Sequence, residues 1–188
     1  MSSLFLTRIA LLPMFDHPFS AAQIAGYFAF VLGVVCFLQR DDRRFKQVMI
    51  AQALSYAIHF AMLGATSSMA SALIALLRTT LSLYSSSLRL ALAIVALNLA
   101  IGPWLVHVWT DWLPLIATCI GTLALFLFQG IAMRLVLLTS TMLWLINTIL
   151  VGSIGGTALE VMIAIANIVT IWRLWRKRPP KTAERVGA

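Results

Sequence analysis

Seven continuous apolar runs follow one another along this chain, at about Ser20–Leu38, Phe45–Leu63, Ser67–Ser85, Leu88–Val108, Trp112–Phe128, Ile131–Val151 and Gly155–Trp175. Each approaches the roughly 20 residues that a membrane-crossing helix needs. The runs are unbroken rather than alternating, which argues against the strands of a membrane barrel. Of the 188 residues, 61% are hydrophobic and only 11% are charged. A soluble domain of this size has no core large enough to hide that surface, so lipid takes the place of a core. The pattern predicts an all-α, polytopic membrane protein with seven transmembrane helices and the lipid bilayer as its first partner.

The basic residues orient the spans. The first connection holds Arg40, Arg43, Arg44 and Lys46, the third holds Arg89, and Arg134 opens the sixth span. Arg173, Arg176, Lys177, Arg178, Lys181 and Arg185 close the chain, whereas the second, fourth and sixth connections contain no Lys or Arg. The positive-inside rule then puts the N-terminus in the periplasm and the C-terminus in the cytoplasm. The formal charge of +8 is spent flanking apolar spans, so no nucleic-acid partner is expected and the tail reads as topology and lipid-surface attraction. Residues 1–19 are too short to span and read as a lead-in. Cys36 and Cys119 sit in apolar runs as small hydrophobes, and no Cys/His spacing suits a metal. Neither metal nor cofactor is expected.

The connections suggest a 3+1+3 plan: a first three-helix repeat over 20–87, a linker helix over 88–111, a second repeat over 112–175 and a basic tail over 176–188. Shifting the first half by 88 positions pairs Val48 with Val136, Tyr56 with Trp144, His59 with Asn147, Gly64 with Gly152 and Thr79 with Asn167. Three spans and a linker separate the copies, so both halves point the same way across the membrane. That is the parallel-repeat class, with its axis along the membrane normal.

Polar groups inside the spans are the functional candidates, because they are costly there. Arg78, Thr79 and Asn167 are expected near the midplane, with Tyr56 and Trp144 one turn inside His59 and Asn147. Repeat symmetry predicts a substrate pocket of Asn167, Arg78, Thr79, Tyr56 and Trp144. Glu160, His59 and Asn147 form a candidate polar relay or lock. Each also has a plain structural reading. Arg78 and Glu160 can neutralise each other as a lock, His59 and the asparagines can serve as interhelical glue, and the aromatics can be packing. No nucleophile–base pair is visible in the sequence, so no enzyme is expected.

Three stretches resemble the YgjV family of bacterial inner-membrane proteins: Gln39–Lys46, Gly152–Thr157 with Glu160 and Asn167, and the closing Trp172–Arg176. The likeness runs from about Ile24 to Arg178. The family is similar in turn to the SWEET, SemiSWEET and PQ-loop superfamily of transporters. That resemblance implies a SWEET-like 3+1+3 fold, location in the bacterial inner membrane, and substrate contact by an Asn on the third helix of each half with an aromatic nearby. Asn167 fits this pattern and Thr79 departs from it. Gln39 and Gln129 stand where the superfamily has its PQ glutamine, but neither follows a proline.

Two readings remain open at this stage. One is an alternating-access carrier or facilitator for a small polar or anionic solute. The other is a non-transporting membrane scaffold or partner subunit that shares the fold. A homo-oligomer is compatible with either.

Overall fold

A computed structural model describes residues 18–38, 42–85, 87–128 and 130–176 of the chain. The lead-in up to His17, the glutamines Gln39 and Gln129, and the tail from Lys177 lie outside the described residues.

Among these residues the fold is all-helical, with seven α-helices. They are α1 (Ala21–Leu38), α2 (Asp42–Met62), α3 (Thr66–Leu81), α4 (Leu88–Leu105), α5 (Trp112–Leu127), α6 (Gly130–Leu150) and α7 (Ile154–Arg176). A 3-10 turn, Trp109–Asp111, leads into α5. The expected span boundaries hold to within a few residues. The largest difference is at α3, which stops at Leu81 rather than Ser85. There Ser82 Oγ donates to the Thr79 carbonyl (2.7 Å) and Thr80 Oγ1 to that of Leu76 (2.9 Å). Such local bonds compete with helix continuation. Pro103 lies inside α4, and the helix ends two residues later.

Four helices, α4 to α7, are long and apolar enough to cross a membrane (α5 counted with its 3-10 lead-in). Among the described residues the other three fall below that length or hydropathy, Ala21–Cys36 being a shorter apolar stretch. The helix α2 opens on Arg43, Arg44 and Lys46, and α3 has only 16 residues, several of them Ser or Thr.

Burial is mixed: Phe60, Leu115 and Leu159 are buried together with many polar groups. Gln23, His59, Ser68, Asn98, Asn147, Ser153, Glu160 and Asn167 are buried, while Phe28, Val31, Ile58, Leu92, Ile146 and Ile165 are exposed. Apolar side chains pointing outward and hydrogen-bonding groups pointing inward suit a bundle surrounded by hydrocarbon.

Six helices pack in a closed circuit: α1 on α2, α2 on α3, α3 on α5, α5 on α6, α6 on α7, and α7 back on α1. Helix α4 lies outside it, against α5 and α3. The short connections make sequence neighbours antiparallel, so the bundle has two distinct ends. One carries Arg43, Arg44, Lys46, Arg89, Arg134, Arg173 and Arg176, and is called the basic end. There Lys46 Nζ donates to the Ser82 carbonyl at 2.6 Å. The other is the glycine end, where α2 turns into α3 and α6 into α7.

The two glycine-end turns are built alike. Gly64 and Gly152 have φ of 70° and 74°, a left-handed conformation that glycine adopts without steric cost. At the first, the Ala65 N–H donates to the Phe60 carbonyl (2.9 Å) and the Gly64 N–H to that of Ala61 (3.1 Å). At the second, 88 positions on, Ser153 donates to Thr148 (2.9 Å) and Gly152 to Ile149 (3.1 Å). Both are Schellman caps, which satisfy the last carbonyls of a helix.

A charged cavity inside the helix circuit

A cavity of about 190 Å³ lies inside the circuit, lined from α2, α3, α5, α6 and α7. It reaches almost to the basic end of the bundle at Thr79 and Leu125. Towards the glycine end it stops at Ala72, Trp144 and Glu160. Four residues of α2 and four of α6 line it in matching register: Met49 with Leu137, Gln52 with Ser140, Ala53 with Thr141, and Tyr56 with Trp144. Each pair is 88 positions apart. Their spacing along the helix places each set on one face.

Of the residues singled out in the sequence, Arg78, Thr79, Tyr56, Trp144 and Glu160 all line this cavity. Arg78 sits in the last turn of α3, nearer the basic end than the expected midplane position, because α3 ends early. Its Nη1 donates to Thr122 Oγ1 on α5 at 3.1 Å, and the Thr122 hydroxyl donates to the Thr118 carbonyl at 2.7 Å. Glu160 is only 7% exposed. Among the described residues no ion pair joins it to Arg78, so the expected lock does not form. The Tyr56 and Thr118 hydroxyls are buried without a hydrogen-bond partner, and both residues line the cavity. Most buried polar groups in proteins have a partner, which sets these two apart.

Asn167 does not line the cavity. Its Oδ1 accepts from Arg134 Nη1 at 3.2 Å, near the basic end. Its expected neighbourhood with Arg78 is therefore corrected. Asn167 is buried, but on a face of α7 turned toward the start of α6. Thr79 donates to the Ala75 carbonyl (2.8 Å) and approaches Met49 Sδ (3.7 Å).

His59 and Asn147 lie beyond the cavity, toward the glycine end, where each ties its helix to the start of α7 or α3. His59 Nδ1 faces the Ala22 carbonyl at 2.7 Å, so that nitrogen carries the proton and donates. The Nε2 then accepts from the Ser153 hydroxyl at 2.6 Å. Asn147 Nδ2 donates to Ser68 Oγ at 3.0 Å, and that hydroxyl faces Asn147 Oδ1 at 3.2 Å. The pairs α2–α7 and α3–α6 are not neighbours in the circuit, so both bonds cross its interior. Between them and the cavity, Phe60 stacks on Trp144 with centroids 5.9 Å apart. Gln23 adds a third tie. Its amide donates to the Gly152 carbonyl (2.5 Å) and accepts from the Ile154 N–H (3.1 Å).

These ties seal the glycine end. Outside them lies a second cavity of about 470 Å³, lined by Gly64–Ser67, His107, Val108, Asp111 and Val151 among others. Asp111 shapes one wall by accepting from the His107 and Val108 N–H groups at 3.0 and 3.1 Å.

The fold does create a Ser–His contact, between Ser153 and His59, that the sequence did not reveal because the two lie 94 positions apart. Both side chains have zero exposure, and Ser153 Oγ also accepts from the Gly156 N–H at 3.0 Å. Other contributors were missed as well. Gln23 and Thr118 looked like ordinary polar residues in apolar helices. The signal available for Thr118 was its recurrence with Gly121 and Leu125 at three- and four-residue spacing, one face of α5. Among the described residues no three His, Cys, Asp or Glu side chains gather as a metal site.

Comparison with known proteins identifies the setting. A family described as bacterial inner membrane protein, Imp-YgjV, matches residues 20–178. The chain is 37% identical over 155 residues to the inner membrane protein YgjV of Escherichia coli (strain K12), covering 82% of this chain and 85% of that protein. The chain belongs to the YgjV family. No solved structure matches it. Family membership and the apolar helices together make it a multi-pass protein of the bacterial inner membrane, with its outward-facing apolar residues in contact with lipid. The match covers both glycine turns, both crossing ties and every residue that lines the cavity.

Proposed function

We propose that the protein is a carrier or facilitator for a small solute, working by alternating access between its two halves. The observation that carries this reading is the central cavity. Two second helices line it in matching register, it holds Arg78, Glu160 and two unpartnered hydroxyls, and it ends at a sealed layer. Buried charges in a membrane bundle usually mark a substrate or ion path.

The arrangement of the halves supports a 3+1+3, SWEET-like plan with α4 as the linker. Under this plan a two-fold axis along the bundle would exchange α1 with α5, α2 with α6 and α3 with α7. It would also exchange the α1–α7 contact with the α3–α5 contact, both of which are made. It would bring His59 onto Asn147, although their partners Ser153 and Ser68 differ by three positions in register. The basic end is the cytoplasmic one by the positive-inside rule, which puts the N-terminus in the periplasm and the cavity toward the cytoplasm. Breaking the ties at the glycine end would open the cavity to the periplasm.

We read the buried Ser153–His59 contact as a structural tie rather than a catalytic pair, because no substrate reaches it. The test is uptake and efflux by purified protein in liposomes, with a labelled panel of neutral, anionic, cationic and zwitterionic small solutes. Saturable movement of at least one class above protein-free liposomes is expected. Absence of movement for every class, in both directions, would favour the scaffold or partner-subunit reading.

A further inference from the structure

We propose that the cavity binds a small zwitterion, its anionic group on Arg78 and its cationic group on Glu160. This rests on reading the cavity as a solute site. The chain places one guanidinium and one carboxylate on the wall of a single buried space without joining them in an ion pair. A guanidinium withdrawn from water without a counter-charge is unfavourable, and a carboxyl in the same position holds a proton until a cationic group meets it. Arg78 has one hydrogen bond to a neutral hydroxyl, which leaves its charge uncompensated. A solute carrying both charges satisfies the two walls at once.

Solutes of one charge do not. An anion on Arg78 brings Glu160 no cationic group to meet. A cation on Glu160 leaves Arg78 without a counter-charge. A neutral polyol compensates neither wall. The unpartnered Tyr56 and Thr118 hydroxyls supply further hydrogen bonds, and Trp144 with Tyr56 gives the solute an apolar side. Size narrows the class further. A space of about 190 Å³ is below the roughly 300–1,000 Å³ of pockets for drug-sized ligands, which favours a small solute. The repeat register sharpens the point. The positions matching Glu160 and Arg78 in the other half are Ala72 and Ala166, so each charge occurs once in the cavity.

The test is calorimetric binding to the purified full chain in detergent, with glycine, β-alanine and γ-aminobutyrate as zwitterions of increasing charge separation. Size-matched carboxylates, amines and a neutral diol are measured alongside. The best zwitterion is expected to bind about tenfold or more tighter than any single-charge or neutral analogue. Arg78→Gln is expected to erase the difference between zwitterion and amine, and Glu160→Gln the difference between zwitterion and carboxylate. Variant folding is checked by size exclusion and melting, and the analogue series on the parent protein decides if a variant does not fold. Binding of a carboxylate, an amine or the diol as tight as that of the best zwitterion overturns the proposal, as does a failure of every zwitterion to bind. The same solutes are then followed in liposomes. Movement of some other class without zwitterion binding overturns the zwitterion and leaves the carrier standing. Zwitterion binding without movement upholds the site and overturns the carrier.

Discussion

The helix pair α2–α3 and the pair α6–α7 share a framework and differ in their chemistry. They have the same Schellman turn about Gly64 and Gly152, and α2 and α6 turn the same face to the cavity. Yet Glu160 stands where the first half has Ala72, and Arg78 where the second has Ala166. A group needed to fold a three-helix unit would be expected in both units, as the glycines are. A group needed once, at a site shared by both, need occur only once. The difference separates residues that build the halves from residues that furnish what lies between them.

The seams between the halves differ as well. Where α1 meets α7, backbone touches backbone: a Cβ on Gly155 would lie 2.4 Å from the Gly26 carbonyl carbon and oxygen. The matching residue in α3 is Ser67, which is buried with its side chain in place. The largest predicted effect breaks this contrast. Gly155→Ala must push two backbones apart and is expected to cost about 3 kcal/mol or more. Ser67→Ala is expected to cost about 1 kcal/mol or less. Denaturant unfolding of the purified variants measures both, and equal costs would remove the claimed asymmetry of the seams.

The crossing ties should rank next. His59→Ala strands the Ala22 carbonyl and the Ser153 hydroxyl, whereas Asn147→Ala strands only Ser68. Costs of about 1–3 and about 1 kcal/mol are expected, roughly additive because the ties share no partner. If they close the glycine end, loosening both should expose the residues beneath. Ser71→Cys, in a background with Cys36 and Cys119 replaced, is expected to react faster with a membrane-impermeant thiol reagent once both ties are gone. An unchanged rate would mean that the aromatic layer alone closes this end. Smaller than the loss of both ties together, Gly64→Ala and Gly152→Ala are each expected to cost about 1–2 kcal/mol, the penalty of a left-handed alanine. Matching losses in thermal melts would sharpen the equivalence of the turns.

The helices were legible in the sequence because apolar runs of this length have few other fates, and the turns because Gly64 and Gly152 interrupt them. Helix rotation was less legible. Arg78, Tyr56, Trp144 and Thr79, grouped with Asn167 in the sequence, line one cavity without it, and Glu160, grouped apart with His59 and Asn147, lines it too. Nothing in the run of α7 indicated that Asn167 would be held by Arg134 instead. It lies one turn beyond Ile163, which does line the cavity, and a modest rotation decides between the two surroundings. The Arg78–Glu160 lock was one of two readings that opposite charge allowed, and charge does not fix distance. Gln23, Ser68 and Ser153 were illegible because each acts through partners more than 75 positions away.

Tyr56 and Trp144 offer the finest comparison, since they occupy matching positions and line the same cavity. Trp144 stacks on Phe60, so Trp144→Phe removes packing and should lower stability by about 1 kcal/mol. Tyr56 meets Phe60 edge-on, with ring centroids 5.1 Å apart, and phenylalanine keeps that ring. What Tyr56→Phe removes is a hydroxyl that is buried without a partner. Deleting such a group relieves a desolvation cost instead of breaking a bond. The stability of Tyr56→Phe should therefore stay within about 0.5 kcal/mol of the parent or rise slightly. Solute binding should nevertheless weaken, because the hydroxyl finds its partner only when the cavity is filled. A variant that melts like the parent and binds less is the expected outcome by calorimetry. One that loses stability would show that the hydroxyl has a partner in the empty protein, which would withdraw Tyr56 from the set of groups awaiting a solute.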